Sequence, residues 1–342
     1  MRRLTFALLF FFLWSPNLHA QTDFYNGKTI RIVVGFSLGG FSDLWGRALG
    51  RYWTKYIPGN PEFIVQNMPG AGSMTAANYL YSVAKPDGLT LGIIAPGLYF
   101  DQLTGRKEVQ FDWAKFTWIG SPEETDEMLY MRSDSPYKTL EDIRKAAVPP
   151  RCGASGTGST GHYFPKLLEE VLGLKFNVIT GYPGGSDIEL AVERGEVHCR
   201  AGTINAFFGR DPGRTWAKTG FVRILVVGGS KRDSRAPDAP TIWELMEKEK
   251  TPELGRRVAT VLLSAGIFGR PIMGSPGIPA DRVKILREGF MKAINDAELL
   301  AEAQKRGWEV NTVSGEKLEA LARDVIAQPP EVVSRMKAVL GR

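Results

Sequence analysis

Residues 29–43 read TIRIVVGFSLGGFSD and place a glycine-rich turn directly after an apolar, β-branched segment. The first six residues, Thr29–Val34, are typical of a buried strand. The turn Gly35–Asp43 follows, and Ser42 or Asp43 can cap the helix that begins there. A turn between a strand and a helix exposes backbone N–H groups beside the positive end of the helix dipole. This arrangement binds anions.

A second stretch of the same kind lies more than a hundred residues later. Residues Gly153–His162 read GASGTGSTGH and follow a short strand-like segment around Cys152. The next segment, Tyr163–Leu172, has the spacing of an amphipathic helix. Two such turns, far apart in the chain, predict two lobes that close on one negatively charged ligand.

The segments around both turns alternate between strand and helix patterns. This alternation predicts an α/β fold with parallel sheets, flanking helices and right-handed crossovers. Ligands of such sheets bind outside the carboxyl ends of the strands, where both turns lie. Further along, Val261–Phe268 is apolar and predicts a strand, and residues 270–279 predict a loop. The last predicted helices are Asp281–Asn295, Ala297–Arg306 and Ser314–Ala327.

The N-terminus has the features of a secretory signal. Arg2 and Arg3 form a basic start, Leu4–Trp14 is apolar, and Ala20 is a small residue at a suitable cleavage point. The apolar run is too short to span a bilayer. Removing residues 1–20 lowers the formal charge from +6 to +4, because two arginines are lost. The remaining lysines and arginines are scattered, so the charge does not indicate nucleic-acid binding.

The chain has two cysteines, Cys152 and Cys199, and export would place both in an oxidising compartment. Each lies in or beside a predicted strand in the same half of the chain. A disulfide is possible if those strands are neighbours, although adjacent parallel strands seldom present suitable geometry. The sequence therefore leaves two alternatives open, a disulfide and a pair of buried thiols.

Gly156, Gly158 and Gly161 have the spacing of a dinucleotide-binding fingerprint. That fingerprint also needs an acidic residue at the end of the next strand, to bind the ribose hydroxyl. The next predicted strand ends at Thr180 and continues into Gly181, without a carboxylate. The missing acid and the export signal both argue against a nicotinamide cofactor, and we expect no cofactor.

The patterns of a hydrolase and of a metal site are incomplete. The serine elbow Gly-x-Ser-x-Gly would need a glycine where Thr157 stands. His198 and Cys199 are adjacent in a predicted strand and point to opposite faces, so they suit no single metal ion. We therefore expect a protein that binds without catalysis and holds no metal.

Several side chains near the two turns are candidates for ligand contact. His162, in the first turn of the second helix, either donates to a bound anion or caps and packs the helix. Tyr182 and Ser186 lie in a turn at another strand end, where Tyr182 either lines the cleft or packs. Asp43 has a charge that opposes an anion and is expected to brace the loop. The candidate ligand-binding residues are Ser37, Gly39, Gly40, Ser42, Asp43, Ser155, Gly156, Thr157, Ser159, His162, Tyr182 and Ser186.

Three motifs in order resemble the solute-binding proteins of tripartite tricarboxylate transporters, also called Bug proteins. They are the Phe-x-x-Gly-Gly-x-x-Asp loop of Phe36–Asp43, the Asn-x-Pro-Gly-Ala-Gly of Asn67–Gly72, and the Pro-Asp-Gly-x-Thr-Leu of Pro86–Leu91. In the second half, Ala154–His162 and Tyr182–Ser186 resemble further family signatures. The resemblance covers nearly the whole chain after the signal.

This resemblance implies a periplasmic, two-lobed type II binding protein of the Venus-flytrap kind, in which each lobe is a mostly parallel sheet flanked by helices. In the family, backbone amides of the first loop, here Ser37–Ser42, hold one carboxylate. The second loop, here Ser155–His162, contributes from the other lobe. The expected partners are a small organic carboxylate and membrane transporter subunits, and the chain is expected to be a monomer.

The expected limits are residues 1–20 for the signal peptide, 21–128 and 232–342 for lobe 1, and 129–231 for lobe 2, with hinges near 126–132 and 228–232. Leu38 stands where the family usually has a small residue, and Ser37 where proline is common, so the identity of the carboxylate stays open.

Two other functions also stay open. One is an exported hydrolase of carboxylate esters or amides that uses Ser155 or Ser159, and the other is a periplasmic anion sensor for a signalling receptor.

Overall fold

The computed structural model describes residues 24–341, so the predicted signal peptide lies outside the described residues. The strands are β1 (Thr29–Val34), β2 (Glu62–Asn67), β3 (Thr90–Ile93), β4 (Thr117–Ser121), β5 (Glu127–Arg132), β6 (Arg151–Gly153), β7 (Asn177–Ile179), β8 (Cys199–Thr203), β9 (Val222–Val227), β10 (Ile272–Gly274) and β11 (Val313–Ser314). The helices are α1 (Phe41–Trp53), α2 (Met74–Ser82), α3 (Leu98–Leu103), α4 (Leu140–Lys145), α5 (Thr160–Leu172), α6 (Gly185–Glu193), α7 (Ile204–Phe208), α8 (Gly213–Thr219), α9 (Ile242–Lys248), α10 (Glu253–Phe268), α11 (Ala280–Ile294), α12 (Ala297–Arg306), α13 (Gly315–Ile326) and α14 (Pro330–Val339).

The strands form two sheets, with the orders β11-β4-β10-β3-β1-β2 and β7-β6-β8-β5-β9. In the first sheet β1 is parallel to β2 and β3, and in the second β6 is parallel to β7 and β8. The remaining pairs, which involve β10, β11 and β5, are antiparallel. The predicted α/β, two-lobed fold is confirmed, but both sheets are mixed rather than mostly parallel.

Two of the reversed strands, β5 and β10, follow the connections between the sheets. β1, β3, β6 and β8 all end at the gap between the two sheets, as their following residues show. A chain that crosses this gap enters the other sheet from the gap side, so its next strand runs opposite to its neighbours. Alternation of strand and helix patterns predicts parallel strands. It does not show where the chain crosses between the sheets, so the sequence could not reveal these reversals.

Two segments join the sheets, residues 122–126 after β4 and residues 269–271 before β10. They lie side by side, because Thr125 N donates to Gly266 O at 3.0 Å, just before the second segment. Gly269 has a φ of +58° and lies against Glu123 of the first segment. A residue with a Cβ would be strained in that conformation and would also meet the other segment.

The sheet pairing bears on the expected domain limits. The limit after residue 128 falls inside β5, which pairs with the second sheet from Glu127 onward. The limit after residue 231 precedes α9 and α10, and both of these helices pack against α5. The next strand to join the first sheet is β10, at residues 272–274.

One predicted element has the wrong type. Val261–Phe268, expected as a strand, is the second half of α10, and the loop expected over residues 270–279 contains β10. Helix α10 packs against α5, α13 and α14, so it is apolar on several sides and its helical periodicity is hidden. Within residues 24–341 no helix, α10 included, is long and apolar enough to cross a membrane.

The largest apolar core is continuous between the two sheets. It contains Trp118 and Phe268, which lie beside the first sheet, and also Met131 and Phe164, which lie in and beside the second sheet. A second core packs α1 and α11 against the first sheet. Four of the tryptophans, at positions 45, 53, 113 and 118, are completely buried in these cores.

Cys152 and Cys199 form a disulfide. They lie directly opposite each other in β6 and β8, with Cα atoms 4.5 Å apart. This separation is at the short end of the range that disulfides span, so these two parallel neighbours do present suitable geometry. The alternative of two buried thiols is therefore excluded.

Candidate ligand-binding cleft

A cavity of about 110 Å³ lies between the two sheets. Its walls are the residues that follow β1 and β3 in the first sheet, and β6 and β8 in the second. A single water needs about 10–15 Å³ of such space, so the cavity admits a small organic molecule. Phe36, Pro96 and Ile188 provide apolar surface, while most polar groups belong to helix ends and arginines.

The N-terminal turn of α1 forms one wall. Gly40 is the N-cap with extended backbone, and it lines the cavity together with Phe41 and Ser42. The first amide bonded along the helix is that of Leu44, which donates to Gly40 O at 3.0 Å. The amides before it have no acceptor in the regular α-helical pattern and carry the positive end of the dipole. This wall can therefore donate hydrogen bonds to an anion.

The N-terminal turn of α5 forms the facing wall from the second sheet. Ser159 is the N-cap, and Thr160 and Gly161 line the cavity beside it. The amides of His162 and Tyr163 both donate to Ser159 O, at 2.9 and 3.1 Å. The amides of Thr160 and Gly161 come before the first regular α-helical hydrogen bond. Two helix N-termini from different sheets thus meet at one cavity.

Asp43 braces the first turn. It is 1% exposed, its Oδ2 accepts from Gly39 N at 3.0 Å, and both oxygens accept from Arg47. Asn67 also donates to Oδ1 at 3.0 Å. Burial acts to raise the pKa of Asp43, but the hydrogen bonds from Arg47, Gly39 and Asn67 outweigh it and lower that pKa. The ionised carboxylate holds the loop in shape and uses the Gly39 amide for this purpose.

Contacts between the turns of the two sheets close the edge of the cleft. Ser37 Oγ donates to Asp187 Oδ2 at 2.7 Å. Gly156 packs so closely on Gly72 that a Cβ at position 156 would lie 2.5 Å from Gly72 N. Thr157 Oγ1 also donates to Oδ1 of Asp101, a residue of α3, at 3.0 Å. The structure therefore holds the two sides of the cleft in direct contact.

Two arginines that line the cavity share one carboxylate. Arg200 Nη1 bonds to Glu189 and donates to Gly185 O at 3.1 Å, and Arg210 Nη2 donates to Glu189 Oε2 at 2.6 Å. The exposed fractions of the Arg200, Arg210 and Glu189 side chains are only 14%, 11% and 9%. Burial acts to lower the pKa of Arg200, but the charge of Glu189 outweighs it and raises that pKa. Arg200 is therefore a permanent cation in the cleft.

A third arginine, Arg270, lines the cavity from the first sheet's side. Its guanidinium contacts the Glu123 carboxylate, donates to Thr203 Oγ1 at 3.1 Å, and lies 4.4 Å from the ring centre of Phe41. Burial lowers the pKa of Arg270 to about 9, while the neighbouring Glu123 carboxylate opposes this change. The group is protonated at neutral pH in either case.

The charges around the cavity do not cancel. Three arginines face two glutamates, which leaves one positive charge. The N-termini of α1 and α5 add about half a charge each. The walls of the cleft therefore carry an excess of positive charge, and this favours an anion.

The structure brings four of the twelve predicted residues to the cavity wall, namely Gly40, Ser42, Ser155 and Ser159. Five others hold the turns or the cleft edge, as described above for Ser37, Gly39, Asp43, Gly156 and Thr157. The contacts place these five in supporting positions around the cavity.

The other three predicted residues lie farther from the cavity wall. His162 is 8% exposed in the first turn of α5 and is not among the lining residues. Tyr182 lies at a separate surface pocket beside Gly156 and Thr157, and burial raises its pKa. Ser186 is the second residue of α6, one position after Gly185, which does line the cavity.

The sequence prediction missed all three arginines. β8 directs Cys199 and Ala201 into the core, so Arg200 between them points to the opposite face. A charged residue within an apolar strand is the signal that could have identified it. Arg210 and Arg270 each follow a glycine at a helix C-terminus, Gly209 and Gly269, which is a much weaker signal.

The two serines considered as candidate nucleophiles, Ser155 and Ser159, both line the cavity. Ser159 Oγ donates to Gly156 O at 2.6 Å, so this hydroxyl is used within its own turn. Between residues 24 and 341 no group of three or more His, Cys, Asp or Glu side chains could hold a metal ion.

Comparison with known protein families extends these observations. The model of the "Tripartite tricarboxylate transporter family receptor" matches residues 59–335. A Cupriavidus necator relative, "UPF0065 protein in gbd 5'region", is 26% identical over 325 residues, covering 93% of this chain and 90% of that protein.

Solved structures show the same fold. The periplasmic binding protein BugD is 20% identical, with a TM-score of 0.73 over 92% of this chain and 98% of its own. MatC from Rhodopseudomonas palustris, solved with bound malate, is 21% identical, with a TM-score of 0.70 over 92% of this chain and 99% of its own. With the matched family model spanning most of the sequence, this chain belongs to the receptor family of tripartite tricarboxylate transporters.

Proposed function

We propose that this protein is a periplasmic solute-binding protein that captures a small organic carboxylate between two lobes. The observation that carries the proposal is the meeting of the α1 and α5 N-termini at one positively charged cavity. Both helices have 13 residues, long enough for a developed dipole. The family to which the chain belongs supports the same function, and so does the malate bound to MatC.

We propose that one carboxylate of the ligand lies between the two turns. Amides of Phe41 and Ser42 would donate from one side, and those of Thr160 and Gly161 from the other. Charge-assisted hydrogen bonds contribute about 1.5–3 kcal/mol each. Two or three of them, with the helix dipoles, approach the ~8 kcal/mol of a micromolar complex after ordering costs. Binding of this strength needs no catalytic group.

The two lobes would open and close about the paired connections. The sheet pairing supports a first lobe with the strands of residues 29–121 and 272–314, and a second with those of residues 127–227. Residues 122–126 and 269–271 would then form the hinge. The described contacts across the cleft belong to the closed form, which is the form that would be presented to the membrane subunits of a transporter. Residues 1–20 would direct export, and the mature chain would act as a monomer.

A thermal-shift screen of the mature protein tests this proposal. The panel contains mono-, di- and tricarboxylates, aromatic acids, and NAD as a control ligand of another class. A ligand at a hundred times its Kd stabilises by about 2.7 kcal/mol, so the correct carboxylate is expected to raise the Tm by several degrees. Stabilisation by NAD and by no carboxylate would contradict the proposal. Chemical turnover of a bound carboxylate ester would favour the hydrolase instead.

A further inference from the structure

Arg200 and Arg210 make an arrangement that a simple ion pair does not explain. Both contact the single carboxylate of Glu189, and all three side chains are more than four-fifths buried. Two guanidinium groups against one carboxylate leave one positive charge with little access to water. Because an uncompensated buried charge is strongly unfavourable, this cluster is expected to be completed by another anion.

The helix next to the pair increases the imbalance. Arg200 Nη1 donates to Gly185 O in the first turn of α6. A Cβ at position 185 would displace the Arg200 guanidinium, so glycine leaves room for this approach. The N-terminus of a helix carries positive partial charge and is a poor neighbour for a cation. Asp187 in the first turn of α6 and the Glu189 carboxylate offset part of this positive charge, and Arg210 shares Glu189 with Arg200.

The pair also retains unused hydrogen-bond donors. Within the described part of the chain, Nε of Arg200 and Nε of Arg210 are buried without a hydrogen-bond partner. Nε of Arg270, on the opposite side of the same cavity, has none either. Guanidinium groups present their donors in a planar fork that matches a carboxylate. The available donors and the excess charge therefore point to the same kind of occupant.

We propose that Arg200 and Arg210 form a second anion subsite, and that the ligand is a dicarboxylate. Its first carboxylate lies on the N-terminal turns of α1 and α5, and its second lies on the arginine pair. This inference rests on the proposed function and adds to it the number of charges on the ligand. The excess of arginines over their glutamate partners at the cavity wall favours a second negative charge on the ligand.

Titration calorimetry with matched acids tests the subsite. Dicarboxylates of four to six carbons are compared with monocarboxylates of the same length, on the wild-type protein and on Arg210→Met. The wild type is expected to prefer the diacid by about 10- to 100-fold, the range that one charge-assisted contact gives. Arg210→Met is expected to lose most of this preference while its affinity for the monoacid stays within about threefold. Arg214→Met removes a nearby arginine that is 41% exposed and is expected to behave as the wild type.

The outcomes separate the subsite from the function itself. If the wild type binds monoacids and diacids equally well, or if Arg210→Met weakens both by the same factor, the subsite is wrong and the carboxylate function stands. If neither class binds, the proposed function is wrong as well. Arg200→Met, measured in parallel, tests the other half of the pair. The comparison within the wild type decides the question even if a variant does not fold.

Discussion

The two glycine-rich turns look alike in the sequence, yet glycine serves a different purpose in each. In the first turn, Gly39 has a φ of +76° and nothing within 4 Å of where its Cβ would be. In the second turn, Gly156 is outside the positive-φ region, but its Cβ would press on the backbone of Gly72. Gly39 is needed because its backbone has a positive φ, and Gly156 is needed because a side chain would not fit against Gly72. One turn is shaped within its own lobe, and the other is shaped by its contact with the opposite lobe.

The anchoring of the two turns differs in the same way. Asp43 lies in the first turn of α1 and holds the loop as an ionised carboxylate. The second turn leads into α5, whose Tyr163 donates to Glu127 Oε1 at 2.7 Å. Burial raises the pKa of Glu127 to about 8. One turn is therefore held by a charge and the other by a carboxyl that is mostly protonated at neutral pH.

The largest effect is expected from Gly156→Ala. The added methyl group would lie 2.5–2.8 Å from backbone atoms of Ala71 and Gly72, so the lobes could not close fully. Ligand affinity is expected to fall by at least about 100-fold, since the two helix ends would no longer meet one ligand. The Tm of the ligand-free protein is expected to change little. Calorimetry and small-angle scattering with and without ligand measure both effects.

Gly173→Ala is the matched control for this experiment. Gly173 ends α5 with a φ of +64° and has nothing within 4 Å of its Cβ position. Its substitution is expected to cost about 1 kcal/mol of stability and to leave affinity unchanged. Wild-type affinity in Gly156→Ala would show that closure does not require the contact with Gly72.

An intermediate effect is expected from Glu127→Gln as the pH changes. The folded protein keeps a proton on Glu127 up to about pH 8, whereas the unfolded chain releases it near the ordinary value of 4.5. Between these values the folded state binds more protons, so the free energy of unfolding falls as the pH rises, by at most about 1.4 kcal/mol per pH unit. Glutamine resembles the protonated form and removes this slope. Urea denaturation from pH 5 to 8.5 measures the difference.

Glu124→Gln controls for the loss of a nearby carboxylate. The Glu124 side chain is 32% exposed and pairs with Lys317, so its substitution is expected to leave the wild-type slope in place. Parallel stability curves for the wild type and Glu127→Gln would contradict the protonated state that we assign to Glu127.

The smallest effect is expected from Gly39→Asn. Asparagine tolerates positive φ better than other residues with a side chain, and the space beside Gly39 is open. Stability is expected to fall by less than about 1 kcal/mol and ligand affinity by less than threefold, because the Gly39 amide donates to Asp43 and not to the cavity. A loss of affinity as large as that of Gly156→Ala would contradict the different roles that we assign to Gly39 and Gly156.

The sequence predicted what local patterns determine. Both turns, the helices that follow them and the two-lobed fold were predictable, because capping residues, glycines and apolar periodicity act over a few positions. The antiparallel directions of β5 and β10 were not predictable, since they follow from where the chain crosses between the lobes. Val261–Phe268 was misassigned because burial on several sides removes the helical period.

The candidate site was predicted in part for a related reason. Gly40, Ser42, Ser155 and Ser159 lie at the cavity wall, where strand-to-helix turns always place such residues. The arginines could not be placed in this way, because Arg200, Arg210 and Arg270 come from three separate segments that only the tertiary fold brings together. Their charges act together with the helix N-termini at the glycine turns to give the cleft its excess of positive charge.

The disulfide joins the two strands whose ends supply the second sheet's part of the cavity wall. Cys152 in β6 immediately precedes the second turn, and Cys199 in β8 immediately precedes Arg200. Under the two-anion proposal, this covalent link fixes the separation between the site of the first carboxylate and the site of the second. In the oxidised protein this separation would set the length of ligand that fits, and selection among dicarboxylates by their number of carbons would depend on the disulfide.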